Sequence, residues 1–493
     1  ESCPEGVPVR ELPPECRESA ATPGALFAKL TDWGFESIVI PHGTSWGFTA
    51  PRGASFDAQL SAEQHDPALQ TLVEVYSGHG NSEEYRRFRS VLIDEKGEPS
   101  CPAPSLEYLP SCWQAGEIIR ARCRSAGESE EECEARAGEA RRLHLEAGQS
   151  GHLTVPGARA EDWLDAGQCR DCFLPAFDYR PRMSVQYMMA LRNPEQGKAA
   201  QRFRFGFMAS SDVHTARPGT GYKEYDRREM TEATGPGPDF PSFLLPEPQE
   251  PLARSQPVDV SRLTGFARRD SERNVSFLST GGLVAVHAEA RDRDAIWRAF
   301  GRREVYGTSG GRTLLWFDLT NPPRGDIAPM GSAVTMGRAP SFHVRAVGAF
   351  EQLPGCPEYA TTSLSPERLH HLCRDECYNP SDRRKRITRI EVIRIRPQAN
   401  AREPIEALIE DPWRTFICEA DAAGCEISFS DQEFTEVARD ALYYVRAIEE
   451  PSPAVNGGNL RCEYDAEGNC VRVDPCYGSS LGTPYQDDCL APV

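Results

Sequence analysis

No apolar run of about 18 residues or more, the length that spans a bilayer, occurs in the 493-residue sequence. Positive charge is also scarce. Lysine and arginine total 55 against 74 aspartates and glutamates, for a formal net charge of −19. This argues against nucleic acid or an anionic membrane surface as a partner, since phosphate-rich polymers are met by a basic face. The first residues, ESCPEGVPVRELPPEC, lack the basic and then apolar stretches of a secretory leader, so any targeting segment has been removed or was never supplied. Only one CxxC pair exists, Cys169 and Cys172 in CRDC. Without a second CxxC or CxxH nearby it is a poor zinc site, and a local disulfide is the better reading.

What the chain does have is cysteine, 17 in all, many at short spacings in polar loops: 101 and 112, 123 and 133, 373 and 377, 418 and 425, 462 and 470, 476 and 489. Such spacing suits disulfides formed in an oxidising compartment, periplasmic or extracellular. The odd number leaves at least one cysteine free, or paired outside the chain. With 39% hydrophobic and 9% aromatic residues, the length suffices for two globular domains with cores.

A helix is expected from Thr22 to Leu30, with Thr22 as cap and Pro23 in the first turn, then a strand in FESIVIPHG ending at His42. A second strand, QTLVEVYSGHG, reaches a glycine-rich turn at His79. Ala, Glu and Arg dominate residues 113–147, which read as two helices folded back and stapled by Cys123 and Cys133. MSVQYMMALRN reads as a helix with a core-facing methionine stripe. A strand ending in SSDVH follows, then a Pro-rich loop over 235–257 and another strand and helix in GGLVAVHAEARDRDAIWRAFGRREVYGTSGG. Beyond Arg312 short β-type runs take over, with a helix expected only around Glu367 to Leu372. The division is therefore 1–311, α/β, and 312–493, a β-rich sandwich-like domain stapled by disulfides.

Where strands alternate with helices, functional groups gather at strand ends. His42, Glu74 with His79, and Asp212 with His214 all fall there. In an extended Asp-x-His both side chains reach the same side, so both can ligate one ion. The plainer alternative makes Asp212 a helix cap and His214 a backbone partner. His287 and Glu289 share a strand face, where a satisfied core histidine is the favoured reading. His370 and His371 look structural.

The stretch FGFMASSDVHTARPGTGYKEY resembles a signature of the PHP (polymerase and histidinol phosphatase) superfamily of metal-dependent phosphoesterases, in the secreted branch catalogued as domain of unknown function 3604. SIVIPHGTSWG, LVEVYSGHGNSEEY and GGLVAVHAEARDRDAIWRAFGRREVYGTSGGR are similar to the same branch, in the same order, over roughly residues 22–320. The resemblance implies a distorted β/α barrel holding two or three divalent ions, manganese, zinc or iron, with His42, Asp212 and His214 as ligands. Glu74 and His79 become the catalytic candidates, Glu74 as a ligand or as a base behind the ligands; a strand carboxylate paired with an arginine is the alternative for Glu74.

SGHGNSEE, with Ser82 and Glu83, and GTSGGR, with Thr308, Ser309 and Arg312, are candidate substrate loops, joined by Ser211 and Arg217. Their backbone N–H groups and guanidinium forks suit a small anionic substrate. A tight turn and surface ion pairs are the plainer readings. One departure stands out: the Asp-Leu-His-x-His and Thr-Asp-His segments of the resembled family are absent. The expectation is a cleaved or missing N-terminal segment of the same protein that supplies further ligands and takes up the odd cysteine. The functional expectation is a secreted metal-dependent phosphoesterase, against a metal-free binding or structural surface protein and a metal-dependent lactonase or ester hydrolase. Oligomer formation is left open.

Overall fold

The structure is a computed structural model that describes residues 2–46, 54–172, 179–193, 201–214, 223, 249–420, 424–454, 462–473 and 491–492, apart from positions 5, 264, 266, 271–272 and 274–276. Arg217, most of the Pro-rich loop, Cys476 and Cys489 lie outside the described residues.

Thr22 caps α1 (Pro23–Trp33), its hydroxyl accepting the Ala25 N–H, and the helix ends at Gly34 with φ 73°. The expected strand before His42 is not formed. Phe35 to His42 instead runs beside β1 (Leu72–Ser77), held by the Val39 N–H on the Leu69 carbonyl (2.9 Å) and the Glu74 N–H on the Pro41 carbonyl (3.0 Å). Pro41 has no N–H to extend a ladder. β1 turns at Gly78 and His79 into β2 (Gly80–Asn81), antiparallel to it. β3 (Leu92–Ile93) and β4 (Pro99–Ser100) form a small ribbon. Next come α2 (Ser111–Ser125) and α3 (Glu130–Ala147), joined by the Cys123–Cys133 disulfide and packed through Ile118, Ile119 and Ala140 onto Trp163.

α4 (Val185–Ala190) buries Met188 and Met189 completely. β5 (Gly206–Ala209) then lies parallel to β1, with Leu72 opposite Gly206 and Glu74 opposite Met208. β6 (Leu283–Val286), α5 (Arg293–Gly301) and β7 (Val305–Thr308) follow, and β6 pairs with β7 antiparallel, a departure from parallel alternation. No closed barrel is formed among the described residues.

The remainder contains β8 (Leu314–Leu319), β9 (Ala328–Pro329), β10 (Ser341–Val347), β11 (Phe350–Gln352), α6 (Glu358–Ser363), α7 (Pro366–Cys373), β12 (Pro380–Arg384), β13 (Ile387–Ile395), β14 (Ile409–Ile417), β15 (Cys425–Ser430) and β16 (Leu442–Glu449). Two sheets, ordered β15-β10-β8-β9 and β14-β13-β16, share a core of Phe342, Val344, Phe429, Ile390 and Val392. β13 is buried on both faces, as a period of two permits. Ile390 and Val392 enter that core, whereas Ile393 and Ile395 join Val73, Met188, Met189 and Phe205 in another. The two halves of the chain therefore share a core across the boundary near residue 312.

Seven disulfides are formed among the described residues, including Cys101–Cys112, Cys169–Cys172, Cys418–Cys425 and Cys462–Cys470. Cys3–Cys16 was not anticipated. The expected 373–377 pair is replaced by Cys356–Cys377. Cys373, at the end of α7, is buried with its Sγ toward the Leu369 carbonyl (3.2 Å) and 2.9 Å from Cys377 Sγ, while Cys356 reaches Cys377 from across the loop.

Candidate functional site

β1 and β5 run parallel and end at the same edge, so the residues after them meet. Glu74, in β1, is buried. Its Oε1 accepts the Gly43 N–H (3.3 Å), and the Ser210 hydroxyl donates to its Oε2. Ser210 is fixed in turn, its N–H on the Tyr76 carbonyl (3.0 Å) and its carbonyl accepting the Gly282 N–H (2.6 Å).

Two residues on, Asp212 adopts φ 55°, which swings its carboxylate toward the β1–β2 turn. Aspartate tolerates that left-handed conformation better than most residues. His79 Nε2 lies 2.6 Å from Asp212 Oδ2, and the exposed His214 places Nε2 3.5 Å from Oδ1. Two glycines allow this approach. A Cβ on Gly78 would fall 2.9 Å from the Ser211 carbonyl oxygen, and one on Gly281, whose φ is 85°, would fall 2.7 Å from the Ser211 Cα. The SGHG and STGG loops thus grip the backbone of the SSD loop from two sides.

The two carboxylates are driven apart electrostatically. Burial pushes the Glu74 carboxyl up and the charge of Asp212 adds to this, against the opposing effects of Ser210, His42 and the Gly43 N–H. Burial works in the same direction on Asp212, but the hydrogen bond from His79 and the charges of His79, His214 and His42 more than offset it and hold that carboxyl down. His42 is exposed, and its charge acts on both carboxylates. Two carboxylates and three imidazoles therefore share one strand-end site.

The anticipated substrate residues are mostly placed elsewhere. Glu83 accepts from Tyr444 Oη (2.5 Å) and Arg446 Nε (2.7 Å) of β16, so its carboxylate anchors one half of the chain to the other. Ser82 is buried, with its N–H on the Val75 carbonyl (2.9 Å). Thr308 donates to the Gly311 carbonyl (2.7 Å) and accepts the Gly310 N–H (3.3 Å), closing the GTSGG turn on itself. The Arg312 guanidinium lies 3.8 Å over the Tyr378 ring. Glu83, Thr308 and Arg312 thus each have a local or inter-sheet partner. Ser309 is exposed on that turn, and Ser211 stays in the site through its backbone. His287 bonds the Leu315 carbonyl (2.8 Å), as a core histidine should. Sequence reasoning missed Ser210 and the gripping glycines, although SSD, SGHG and STGG carried the signal.

The donor set is nitrogen and oxygen, which suits manganese, zinc or iron. Among the described residues, groups of three potential ligand atoms within 4.8 Å of one another occur only at Cys356, Cys373 and Cys377 and at Cys169, Asp171 and Cys172. In both of these groups two sulfurs are already joined in a disulfide.

No helix among the described residues is long and apolar enough to cross a membrane. No curated protein and no solved structure matches the chain. Residues 190–348, about a third of the sequence, match the family described as Protein of unknown function (DUF3604), a span that begins before β5, includes Asp212 and His214, and ends just after β10.

Proposed function

We propose that the cluster at the ends of β1 and β5 is this chain's share of a divalent-metal site in a hydrolase acting on small anionic esters, phosphate esters first. The observation that carries the reading is the convergence of Glu74, His79, Asp212 and His214, with His42 in electrostatic reach, at the strand ends where the α/β arrangement gathers functional groups. The resemblance to the PHP superfamily supports it.

Asp212, His214 and His42 would hold the metal, and when bound it would supply an activated hydroxide and neutralise a phosphoryl oxygen. Glu74, kept protonation-competent by burial, is placed to move a proton; Ser210 and the Gly43 N–H fix both of its oxygens. His79 holds the Asp212 carboxylate in orientation. Because no three of these donor atoms cluster within 4.8 Å, the proposed site calls for ligands beyond these five residues. The disulfides support an oxidising compartment, periplasmic or extracellular, for the proposed enzyme.

The direct His79–Asp212 contact of 2.6 Å also favours a second reading, a metal-free scaffold in which the pair is a closed structural bond. Hydrolysis of p-nitrophenyl phosphate with added Mn²⁺ separates the two. Activity in the full-length protein that falls by about a hundredfold or more in Asp212→Asn supports the hydrolase; no activity in the parent protein supports the scaffold.

A further inference from the structure

A cavity of about 830 Å³ lies between β1, β5 and β7 on one side and β8, β9 and β16 on the other. None of His42, Glu74, His79, Asp212 or His214 lines it. Val75, Tyr76 and Phe207 of the β1–β5 pair line it, with the pairing irregular between Glu74 and Tyr76, whereas Glu74 does not line it. Much of its wall is apolar, including Phe205, Val305, Leu315, Phe317, Met336 and Leu442. Leu315, Phe317 and Met336 are only partly buried against the sandwich core, so their open faces belong to the cavity.

The charge on the wall is uneven. Where β16 lines it, each acid has a donor: Glu83 takes Arg446, Glu449 takes the Thr313 hydroxyl (2.6 Å), and Glu450 takes Arg386 (3.0 Å). Where the chain enters β5 and β7, three arginines, Arg202, Arg204 and Arg303, line the wall. Asp440 is their one carboxylate partner among the described residues, 2.7 Å from Arg202 and itself 73% exposed. The Arg202 Nε is buried without a hydrogen-bond partner, Arg303 Nε reaches only the Gly331 carbonyl (3.2 Å), and Arg204 forms no hydrogen bond or ion pair with a described residue. Burial, and then the charge of Arg204, holds the Arg303 guanidinium below its ordinary value; Arg202 is lowered by burial first, with Arg204 again opposing its charge. In a chain of net charge −19, three guanidiniums gathered with one exposed counter-ion mark a place that an anion would stabilise.

We propose that this cavity binds an amphiphilic anion, a carboxylate or phosphate head held by Arg202, Arg204 and Arg303 with an alkyl or aryl body among the apolar side chains. Its volume falls in the range of small-molecule pockets, and its apolar wall with a few convergent polar groups is their usual construction. The site is independent of the strand-end cluster and needs no metal.

The test is calorimetric titration of the full chain at neutral pH with decanoate, 1-decanol and inorganic phosphate. Decanoate should bind at one site, more tightly than either the uncharged alcohol or phosphate alone. Arg204→Glu should weaken decanoate by at least about tenfold and Arg204→Gln by less. Neither substitution should lower the melting temperature, since Arg204 is exposed and bonds to no described residue. Absence of decanoate binding to the parent protein, decanol bound as tightly as decanoate, or decanoate affinity unchanged in both variants would each overturn the assignment. Asp212→Ala serves as control and should leave decanoate affinity unchanged; a parallel loss would place the ligand at the strand-end site instead.

Discussion

Two of the places where this molecule buries carboxylates surround them with different cations. In the sandwich, Arg394 is 1% exposed and bonds Glu410 through Nε (2.6 Å) and Nη2 (2.7 Å), Asp431 through Nη1 (2.9 Å) and Glu433 through Nη2 (2.8 Å), over the Trp413 ring. Tyr443 adds a hydroxyl to Asp431 (2.5 Å). At the ends of β1 and β5, the partners of Glu74 and Asp212 among the described residues are a hydroxyl, a backbone N–H and imidazoles. A guanidinium carries its charge at every physiological pH and fills carboxylate lone pairs in a fixed fork. An imidazole can give up its proton and become a ligand. The first arrangement saturates its acids and holds two strands together; the second leaves acids that can exchange partners, as a metal or proton-transfer site requires.

The largest effect should come from breaking the saturated cluster. Arg394→Ala leaves the buried Asp431 without its cation and Glu410 with only the 3.4 Å contact to Arg396, and should cost about 3–5 kcal/mol, read as a lower denaturation midpoint. Next is the glycine grip: Gly281→Ala forces a Cβ onto the Ser211 backbone at positive φ and should cost about 1–3 kcal/mol while disrupting the site. Asp212→Asn keeps the same shape and tolerates the same φ, so stability should change by less than about 1 kcal/mol although metal retention and hydrolysis are lost. An Asp212→Asn variant as unstable as Arg394→Ala would erase the contrast between the two clusters.

Acid sharpens the comparison further. Burial tends to raise the Asp431 carboxyl, but bonds from Tyr443 and Arg394 and the charge of Arg394 leave it below its ordinary value. Its folded value thus lies under its unfolded one, so the unfolded chain binds more protons between them. The stabilisation is complete above about pH 4, the unfolded range, and is lost as pH falls through the depressed folded value. Arg394→Ala should flatten that dependence. The smallest effect belongs to His65, buried against Phe203 with Nδ1 on Gln70 (2.7 Å) and lowered by burial. It should destabilise the fold slightly as pH drops below about 6.5, where the unfolded imidazole charges first. His65→Gln should remove this step from stability measured between pH 7 and 5.

Much of this was legible in the residues. Thr22, Pro23 and Gly34 mark α1 by capping chemistry alone, and Cys123 with Cys133 pin the α2–α3 turn. Glu74 and His79, far from Asp212 in sequence, could be suspected because each follows an apolar run and such runs end together in a parallel pair. Contact across the two halves was not legible. Glu83 looked like a substrate group because the sequence does not show that Tyr444 and Arg446 lie opposite it. The double burial of β13 was hidden for a related reason: ITRIEVIRI alternates arginine and glutamate with aliphatics, yet Arg394 is buried because three carboxylates surround it. Cys373 and Cys377 sit close in sequence, but the chain path brings Cys356 to Cys377 instead.

The most direct measurement is the transition-metal content of the natively purified full-length protein, with any N-terminal segment retained, beside its Asp212→Ala counterpart. Two or more equivalents of manganese, zinc or iron are expected in the parent protein, with a clear fall in the variant. Absence of bound metal in the parent, or metal that Asp212→Ala leaves untouched, would contradict the claim that the ends of β1 and β5 form a metal site.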